Sequence, residues 1–405
     1  MTERRTIPYA RHTIDEDDVA AVVRVLRGDW LTQGPAVADF ERALGAALGP
    51  AATVVAVSSG TAALHLGMLA LGIGPGDLVL VPPITFVASA NAARYCGAEV
   101  AFVDVEPDTG LISVEALEGF LAGYVGPHRP RAVVAVHYGG LPCDLARLGP
   151  LCERHGLELI EDACHAPGAT WTDAAGSVHP MGDASGGAFA AFSFHPVKHI
   201  TTAEGGAVVS HRPALTERVR MLRTHGITRD PRLMGSNDGP WWYELQELGF
   251  NYRMPDVLAA LGTSQLRKHR AWLRRRREIG ARYREVFGGE SAIGVQALRP
   301  GREHAYHLFP ILVDRRDQMF TELLASGIRP QVHYIPVHMQ PYYRTRYGDQ
   351  RLAAAESWYR RELSIPLFPA MTEDEVEHVG RAVVDAARRL AAQSGRAHQS
   401  TTTRP

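Results

Sequence analysis

The residue whose surroundings point most directly to chemistry is Lys198, in the stretch FAAFSFHPVKHITTAEGGAVVS that runs from Phe189 to Ser210. An amine in a dry pocket or beside a cation has a lowered pKa, and such an amine can form a Schiff base with a carbonyl compound. The alternative is a solvated lysine in a surface loop, which is what most lysines are. Ser193 could reach a phosphate, and the glycines after Glu204 allow a tight turn.

Two further segments could complete a ligand site around this amine. The first is SSGTAALH, from Ser58 to His65, which has the form strand, glycine turn and helix. Free N–H groups at a helix N-terminus bind phosphate, although Ser-Gly-Thr also makes a routine N-cap. The second is LIEDACHAPGA, which places Asp162 at the end of an apolar strand, where ligands of open α/β sheets bind. Asp162 could hold the pyridine nitrogen of pyridoxal 5′-phosphate (PLP) or cap the next helix, and His165 could line the same pocket.

A fourth segment, ELGFNYRMPDVLAALG, carries Asn251, Tyr252 and Arg253 in a loop before a helix. Polar donors in such a loop often bind anions. A plain helix-capping loop is an equally good interpretation of these residues by themselves.

The elements that must position these residues are predicted to form a mainly parallel sheet. Helices alternate with short apolar strands, which read ATVVAVSSG, DLVLVPP, EVAFVDV, RAVVAVHYGG and LELIEDAC. This alternation implies a sheet covered on both faces. The strands GGAFAAFSF and GGAVVS are too close for a crossover helix, so we expect a hairpin with Lys198 in its connection. A helix is predicted from Ile14 to Leu26, with Thr13 as its N-cap.

The composition is that of an ordinary globular protein: the chain has 405 residues, 45% of them hydrophobic, and a net charge of -1. This charge gives no sign of nucleic-acid or membrane binding, and the basic run RKHRAWLRRRREIGARYR is interpreted as a solvated helix face. The N-terminus lacks the apolar core of a signal peptide, and no apolar run could span a bilayer. Four cysteines without a C-x-x-C pair indicate reduced thiols, so we expect a cytoplasmic protein that acts on small molecules.

The motifs around these residues resemble the DegT/DnrJ/StrS family of PLP-dependent nucleotide-sugar aminotransferases. They read, in order, SGTAALHLGMLALGIGPGDLVLVPPITFVASANA, EDACHAPGA, FSFHPVKHITTAEGGAVV and GFNYRMPDVLAALG, and the resemblance covers roughly Ile7 to Ala391. It implies fold type I, the aspartate aminotransferase architecture, with a large seven-stranded sheet domain and a smaller α+β domain. We accordingly expect an N-terminal arm and substrate loop (1–35), a large PLP-binding domain (36–263), a small C-terminal domain (264–393) and a disordered tail (394–405).

The resemblance also implies a role for individual residues. Lys198 matches the Schiff-base lysine, and Asp162 matches the partner of the pyridine nitrogen. The other implied cofactor contacts are Gly60, Thr61 and Ser193 at the phosphate, Asn251 reaching that phosphate from a second subunit, Phe86 stacked on the ring, and His165 near its 3-hydroxyl. The implied substrate contacts are Thr32, Gln33, Gly34, His195, His225, Tyr252, Arg253, His333 and Tyr334. No metal site is predicted.

The function implied by the resemblance is transfer of an amino group from L-glutamate to a nucleotide sugar, with PLP alternating with its amine form PMP in a homodimer with shared active sites. The segments THGITRDP and GPWWYELQELGFNYRMPD resemble the UDP-4-keto-sugar transaminases of pseudaminic acid biosynthesis, which suggests a UDP-4-keto-6-deoxy-N-acetylhexosamine aminated at C4. The alternatives are a dTDP-keto-sugar C3 or C4 aminotransferase of secondary metabolism, a sugar dehydratase, and a non-enzymatic PLP-fold regulator. Dehydratases of this fold have histidine in place of the lysine, whereas Lys198 is retained here.

Overall fold

A computed structural model describes residues 6–401 of the chain, with side chains described through residue 393. The strands are β1 (Ile7–Pro8), β2 (Thr53–Val57), β3 (Asp77–Val81), β4 (Glu99–Phe102), β5 (Arg129–Val136), β6 (Glu158–Asp162), β7 (Thr170–Thr172), β8 (Val178–Pro180), β9 (Phe189–Ser193), β10 (Gly206–Ser210), β11 (Ile227–Thr228), β12 (Glu244–Leu245), β13 (Gly294–Val295), β14 (Arg302–Glu303), β15 (Phe309–Leu312), β16 (Ile328–Arg329) and β17 (Glu362–Ile365). The helices are α1 (Glu16–Leu26), α2 (Pro35–Leu48), α3 (Gly60–Ala70), α4 (Ala88–Tyr95), α5 (Val114–Gly123), α6 (Leu145–Arg154), α7 (Pro213–Leu222), α8 (Asp256–Phe287), α9 (Arg316–Ala325), α10 (Pro341–Tyr347), α11 (Ala353–Arg361) and α12 (Glu373–Thr401).

The centre of the large domain is a seven-stranded sheet with the order β2-β10-β9-β6-β5-β3-β4. Strand β10 runs antiparallel to its neighbours β2 and β9, while the pairs from β9 through β4 are parallel. The mainly parallel fold type I sheet and the β9–β10 hairpin predicted from the sequence are both confirmed. Because helices cover both faces, the strands are apolar almost throughout rather than alternating.

Helix α3 packs tightly on the sheet and fixes the position of its own N-terminus. Leu64, Leu66 and Met68 on α3 are fully buried. A Cβ atom at Gly67 would lie 2.3 Å from the ring of Phe189 in β9, so only glycine permits this close approach. The start of α3 is therefore held against the ends of β9 and β10.

The C-terminal part has its own small sheet and core. Strands β13, β15 and β17 form an antiparallel sheet, and its core includes Tyr283, Phe309 and Ile311. The N-terminal strand β1 pairs with β16, so the arm is attached to this part of the molecule. Helix α8 is continuous across the boundary predicted at residue 264. Because one helix spans this boundary, the division into a large and a small domain at residue 264 remains a prediction.

Two helix ends differ from the sequence expectation. Helix α1 begins after Asp15, not Thr13, because Asp15 and Asp18 form a reciprocal capping box in which each side chain accepts the other's backbone N–H. Helix α12 extends to Thr401, beyond residue 394 where a disordered tail was expected, since polar residues without proline are compatible with a helix. Residues 402–405 of that predicted tail lie outside the described residues.

The basic stretch in α8 is only partly the solvated face that we predicted. Arg276 is buried, and its guanidinium donates to the carbonyl oxygens of Tyr306 and Leu367. Burial lowers the pKa of Arg276 to about 10. Across residues 6–401, none of the helices combines the length and the apolar character needed to cross a membrane.

Candidate active site

A cavity of about 650 Å³ lies where the carboxyl ends of β6 and β9 meet the N-terminus of α3. Ten of the residues predicted from the sequence line it: Gly60, Thr61, Phe86, Asp162, His165, Ser193, His195, Lys198, His333 and Tyr334. The cavity lies at the sheet edge where open α/β proteins bind their ligands. It is also large enough for a small-molecule ligand.

Lys198 is partly buried in this cavity, on the connection between β9 and β10. Burial lowers the pKa of Lys198, although the nearby Cys164 and Asp162 act in the opposite direction. Among residues 6–393, no side chain forms a salt bridge or hydrogen bond with its amine. The chain contains two lysines, and the other one, Lys268, is bound by Asp15 and Asp18 outside the cavity. Lys198 is therefore the chain's one lysine suited to amine chemistry here.

A buried hydrogen-bond chain fixes the carboxylate of Asp162 at the end of β6. Its Oδ2 accepts a hydrogen bond from Ser89 Oγ at 2.7 Å, and its Oδ1 accepts one from the Cys164 N–H at 3.2 Å. Ser89 is itself 2.7 Å from Thr85 Oγ1, and both hydroxyls are buried. The carboxylate is thus pre-oriented and can pair with a cationic nitrogen of a ligand in the cavity.

The N-terminus of α3 and the end of β9 form a cradle of the kind that binds phosphate. Ser59 caps the helix by accepting from the Ala62 N–H at 3.1 Å. A Cβ atom at Gly60 would lie 2.8 Å from Ser193 Cβ, so glycine allows the two backbones to approach. The N–H groups of the first helical turn and the Ser193 hydroxyl can then bind one anion.

His165 is a buried, neutral imidazole whose tautomer is set by the backbone. Its Nδ1 accepts from the Gly139 N–H at 3.3 Å, and its Nε2 is 3.2 Å from the hydroxyl of Tyr334. Burial and the nearby Lys198 lower the pKa of His165 far below its usual value. Because Nδ1 is an acceptor, the proton of the neutral ring lies on Nε2, which leaves the Tyr334 hydroxyl proton free to bind a ligand.

Phe86 presents an aromatic face at the entrance of the cavity. Its side chain is 58% exposed, which is unusual for a phenylalanine. The ring centroid lies 6.3 Å from that of Tyr334, which also lines the cavity. An exposed ring at this place can stack on an aromatic ligand.

The other predicted contacts do not reach this cavity within one chain. They are Thr32, Gln33, Gly34, His225, Asn251, Tyr252 and Arg253. Gln33, Gly34 and Arg253 line a second cavity of about 270 Å³. The loop is held there because the Asp256 carboxylate accepts from the Gly34 N–H at 2.8 Å and from the Ala36 N–H at 2.9 Å.

Asn251, Tyr252 and His225 lie on two segments that pair with each other near α3. Asn251 pairs with Thr224 in an isolated β-bridge, and the Tyr252 ring stacks on Phe250 at 5.0 Å. Asn251 and His225 are exposed. The implied contact of Asn251 with the cofactor phosphate of a second subunit remains a prediction.

Several residues of the site and its surroundings were not found from the sequence. Ser89 holds Asp162 and is itself bonded to Thr85, while Tyr9 and Gln331 line the cavity from the N-terminal arm and from the segment after β16. Thr85 and Ser89 follow β3 at a spacing of four residues, so the strand end and that spacing were usable signals. Tyr9 and Gln331 had no comparable signal, because only long-range packing places them there.

Comparison with known proteins identifies the family. The family model described as the DegT/DnrJ/EryC1/StrS aminotransferase family matches residues 12–384. The chain belongs to this aminotransferase family. It is a PLP-dependent transaminase, as the motifs predicted.

This aminotransferase is similar to several proteins over nearly its full length. The spore coat polysaccharide biosynthesis protein SpsC of Bacillus subtilis is 35% identical over 95% of this chain and 98% of its own length. The crystal structure of the aminotransferase TlmJ from Streptoalloteichus hindustanus is 32% identical, covers 95% of this chain and 100% of its own, and has a TM-score of 0.85. PseC of Helicobacter pylori, an aminotransferase involved in the biosynthesis of pseudaminic acid, is 28% identical with coverages of 95% and 100% and a TM-score of 0.85.

The residues of this sugar aminotransferase fit PLP. The amine of Lys198 has no competing side-chain partner among residues 6–393, and a fixed carboxylate, that of Asp162, lines the same cavity. A side chain at Gly60 would occupy the cradle, since even its Cβ atom would lie 2.8 Å from Ser193 Cβ. An aldehyde, a pyridine nitrogen and a phosphate thus each find a chemically matched group, and Phe86 offers a ring to stack on.

Proposed function

We propose that this sugar aminotransferase moves an amino group from L-glutamate to C4 of a UDP-4-keto-6-deoxy-N-acetylhexosamine, in amino-sugar biosynthesis. The observation that carries the proposal is the partly buried Lys198 amine, which faces the same cavity as the fixed carboxylate of Asp162. Such a pair is what PLP-dependent amino transfer requires. A regulator without catalytic activity would not need a desolvated amine at this position.

Lys198 is the proposed general base and acid. Because burial lowers its pKa, a larger fraction of Nζ is neutral near neutral pH, and a neutral amine can accept a proton from the Cα of the donor. The same Nζ can then return a proton during the second half of the reaction. When bound, PLP carries the amino group between the two substrates and delocalises the negative charge that forms at Cα.

Three further groups orient the reactants. The Asp162 carboxylate, held by Ser89, would pair with the cationic pyridine nitrogen of the cofactor. Gly60 and Ser193 would hold the phosphate of the cofactor. These roles follow from the chemistry of the groups and from the resemblance of the motifs.

The choice of nucleotide sugar is supported by two relatives. PseC is involved in the biosynthesis of pseudaminic acid, and SpsC takes part in spore coat polysaccharide biosynthesis. The segments THGITRDP and GPWWYELQELGFNYRMPD support a substrate of the kind used in pseudaminic acid biosynthesis. The alternative is a dTDP-keto sugar, aminated at C3 or C4.

We also propose a homodimer with shared active sites, acting in the cytoplasm. In one chain Asn251 is exposed and lies outside the cavity, so a phosphate contact by Asn251 needs a second subunit. Apolar side chains around the first helices are also exposed, including Leu26, Trp30 and Leu31. The four cysteines are unpaired, which suits a reducing compartment.

The test combines substrate profiling with a pair of matched variants. The enzyme, loaded with PLP, is given L-glutamate and a panel of UDP- and dTDP-4-keto sugars, and the products are identified by mass spectrometry and by NMR of the aminated carbon. Lys198→Arg and Lys268→Arg make the same change at the chain's two lysines. Borohydride reduction of the loaded enzyme followed by peptide mapping shows which lysine holds the cofactor.

We expect 4-amino UDP-sugar products from the wild type and from Lys268→Arg, none from Lys198→Arg, and the reduced cofactor on the Lys198 peptide. Products from dTDP sugars alone would overturn the UDP assignment. A fully active Lys198→Arg enzyme would overturn the mechanism.

A further inference from the structure

Behind the cavity wall, a buried hydrogen-bond chain links β17 to a residue that faces the substrate space. Glu362 Oε1 is 2.6 Å from Ser364 Oγ, and Ser364 Oγ is 2.9 Å from His333 Nδ1. Glu362 Oε2 also accepts the His333 backbone N–H at 2.7 Å. Glu362 and Ser364 are fully buried, whereas His333 lines the cavity.

The backbone holds this chain in register. The segment after β16 pairs with β17 through Gln331 and Ser364, whose backbone groups exchange hydrogen bonds at 3.0 and 2.8 Å. Tyr138 donates to the carbonyl oxygen of His333 at 2.8 Å. The backbone of His333 is therefore fixed on both sides, and its imidazole is held through the hydrogen bond between Nδ1 and Ser364.

The proton of the Ser364 hydroxyl can point in two directions. If Glu362 is ionised, Ser364 donates to the carboxylate and accepts from His333 Nδ1–H, so His333 Nε2 is a hydrogen-bond acceptor. If Glu362 is protonated, it donates to Ser364, which then donates to His333 Nδ1, and His333 Nε2 carries the proton. Nε2 has no partner among residues 6–393, so it is the nitrogen available to a ligand in the cavity.

We propose that Glu362 and Ser364 are positioning residues that decide whether His333 offers the substrate a hydrogen-bond donor or an acceptor. This inference rests on the proposed function only in taking the keto sugar nucleotide to be the ligand beside His333. The keto and phosphate oxygens of such a ligand are acceptors, so the form with a proton on Nε2 binds it better.

The surroundings of Glu362 keep this switch within an accessible pH range. Burial raises the pKa of Glu362 to about 8, although Ser364, the His333 N–H, Tyr138 and the charge of Arg316 on α9 each lower it. Tyr334 also lies close enough for its own pKa to respond to Glu362.

His333 stays uncharged over the same range. Burial and the neighbouring Lys198 lower the pKa of His333 to about 3. The ring of Tyr9, 5.1 Å away, packs against it. The titration of Glu362 therefore changes the tautomer of His333 and not its charge.

The test measures the KM for the keto sugar as a function of pH in the holoenzyme. In the wild type, we expect KM to rise about 3- to 10-fold as the pH rises through about 8. This factor corresponds to the loss of one hydrogen bond from His333 Nε2–H to the substrate. Glu362→Gln keeps the protonated pattern at every pH, so its KM should stay at the low-pH value.

Two variants of Ser364 separate positioning from mere packing. Ser364→Ala breaks the chain and should remove the dependence of KM on pH near 8, while Ser364→Thr keeps a hydroxyl and should restore it. If Glu362→Gln and the wild type give the same curve of KM against pH, the inference is wrong.

A spectroscopic readout keeps this result separate from the proposed function. The wild type should show an infrared carbonyl band of a protonated carboxyl group that disappears above about pH 8 and is absent in Glu362→Gln. If this infrared band is present but the enzyme aminates no sugar in the panel, the proposed substrate is wrong and the role of Glu362 in setting the His333 tautomer stands. The absence of the band would overturn the switch whatever the substrate.

Discussion

Replacing Glu362 by glutamine should remove a pH dependence of folding stability that the wild type has between about pH 4.5 and pH 8. Glu362 is fully buried, and burial raises its pKa from 4.5 to about 8. In the unfolded chain the carboxyl group ionises near its ordinary value. Over this interval the folded protein thus binds one proton more than the unfolded chain, and its free energy of unfolding falls as the pH rises.

The size of the effect follows from the two pKa values. The contribution of protonated Glu362 to the free energy of unfolding is fully present below about pH 4.5 and is lost as the pH rises through about 8. The difference of roughly 3.5 pH units, at about 1.36 kcal/mol for each, corresponds to about 5 kcal/mol for a single proton. A change of that size is a large part of the stability of a typical protein.

The assay is urea unfolding followed by circular dichroism at a series of pH values, with ionic strength, protein concentration and cofactor held constant. Buried histidines titrate in both proteins, so they cancel in the difference between wild type and variant. The control variant Glu377→Gln makes the same change at an exposed residue of α12. Its free energy of unfolding should depend on pH as that of the wild type does. If the free energy of unfolding changes with pH in the same way in wild type and Glu362→Gln, the argument that Glu362 is protonated in the folded protein is refuted.

Three other predictions concern the cofactor site and the core. Ser89→Ala removes the 2.7 Å hydrogen bond to Asp162 and should weaken PLP binding by about 10- to 100-fold, as measured by titration of the apoenzyme. Gly60→Ala should destabilise the protein by about 1–3 kcal/mol and weaken PLP binding, and Ser193→Gly in the same chain should recover the stability by removing the clashing atom. Phe40→Ala empties a fully buried position and should cost about 3–5 kcal/mol in urea unfolding, whereas a loss below about 1 kcal/mol would contradict the packing.

The location of the candidate site could be predicted in part from the sequence. Lys198 was predicted from its place in a hairpin connection and Asp162 from the end of an apolar strand, and the family resemblance implied their roles. The order of apolar strands and helices then placed both at one edge of a parallel sheet, since the carboxyl ends of such strands meet there. The β9–β10 hairpin followed from the short distance between its strands along the chain.

The same reasoning could not find the partners of these residues. Ser89 and Asp162 are 73 residues apart, and His333 and Ser364 are 31 residues apart. Such pairs depend on which segments pack together, and no local pattern encodes that. Arg276 was expected on a solvated face for the same reason, because its helix was interpreted without the segments around Tyr306 and Leu367 that cover it.

The sequence by itself determined the fold class and the family, and it singled out Lys198 and Asp162 as candidates for the chemistry. It did so because strand and helix periodicity, glycine turns and the reactivity of an amine or carboxylate are properties of short segments. Only the tertiary structure decided which loops reach the cavity within one chain, which hydroxyls hold Asp162, and that Glu362 is sealed behind His333. Burial and hydrogen-bond partnership are set by contacts between distant segments, and these in turn set the pKa values on which the chemistry depends.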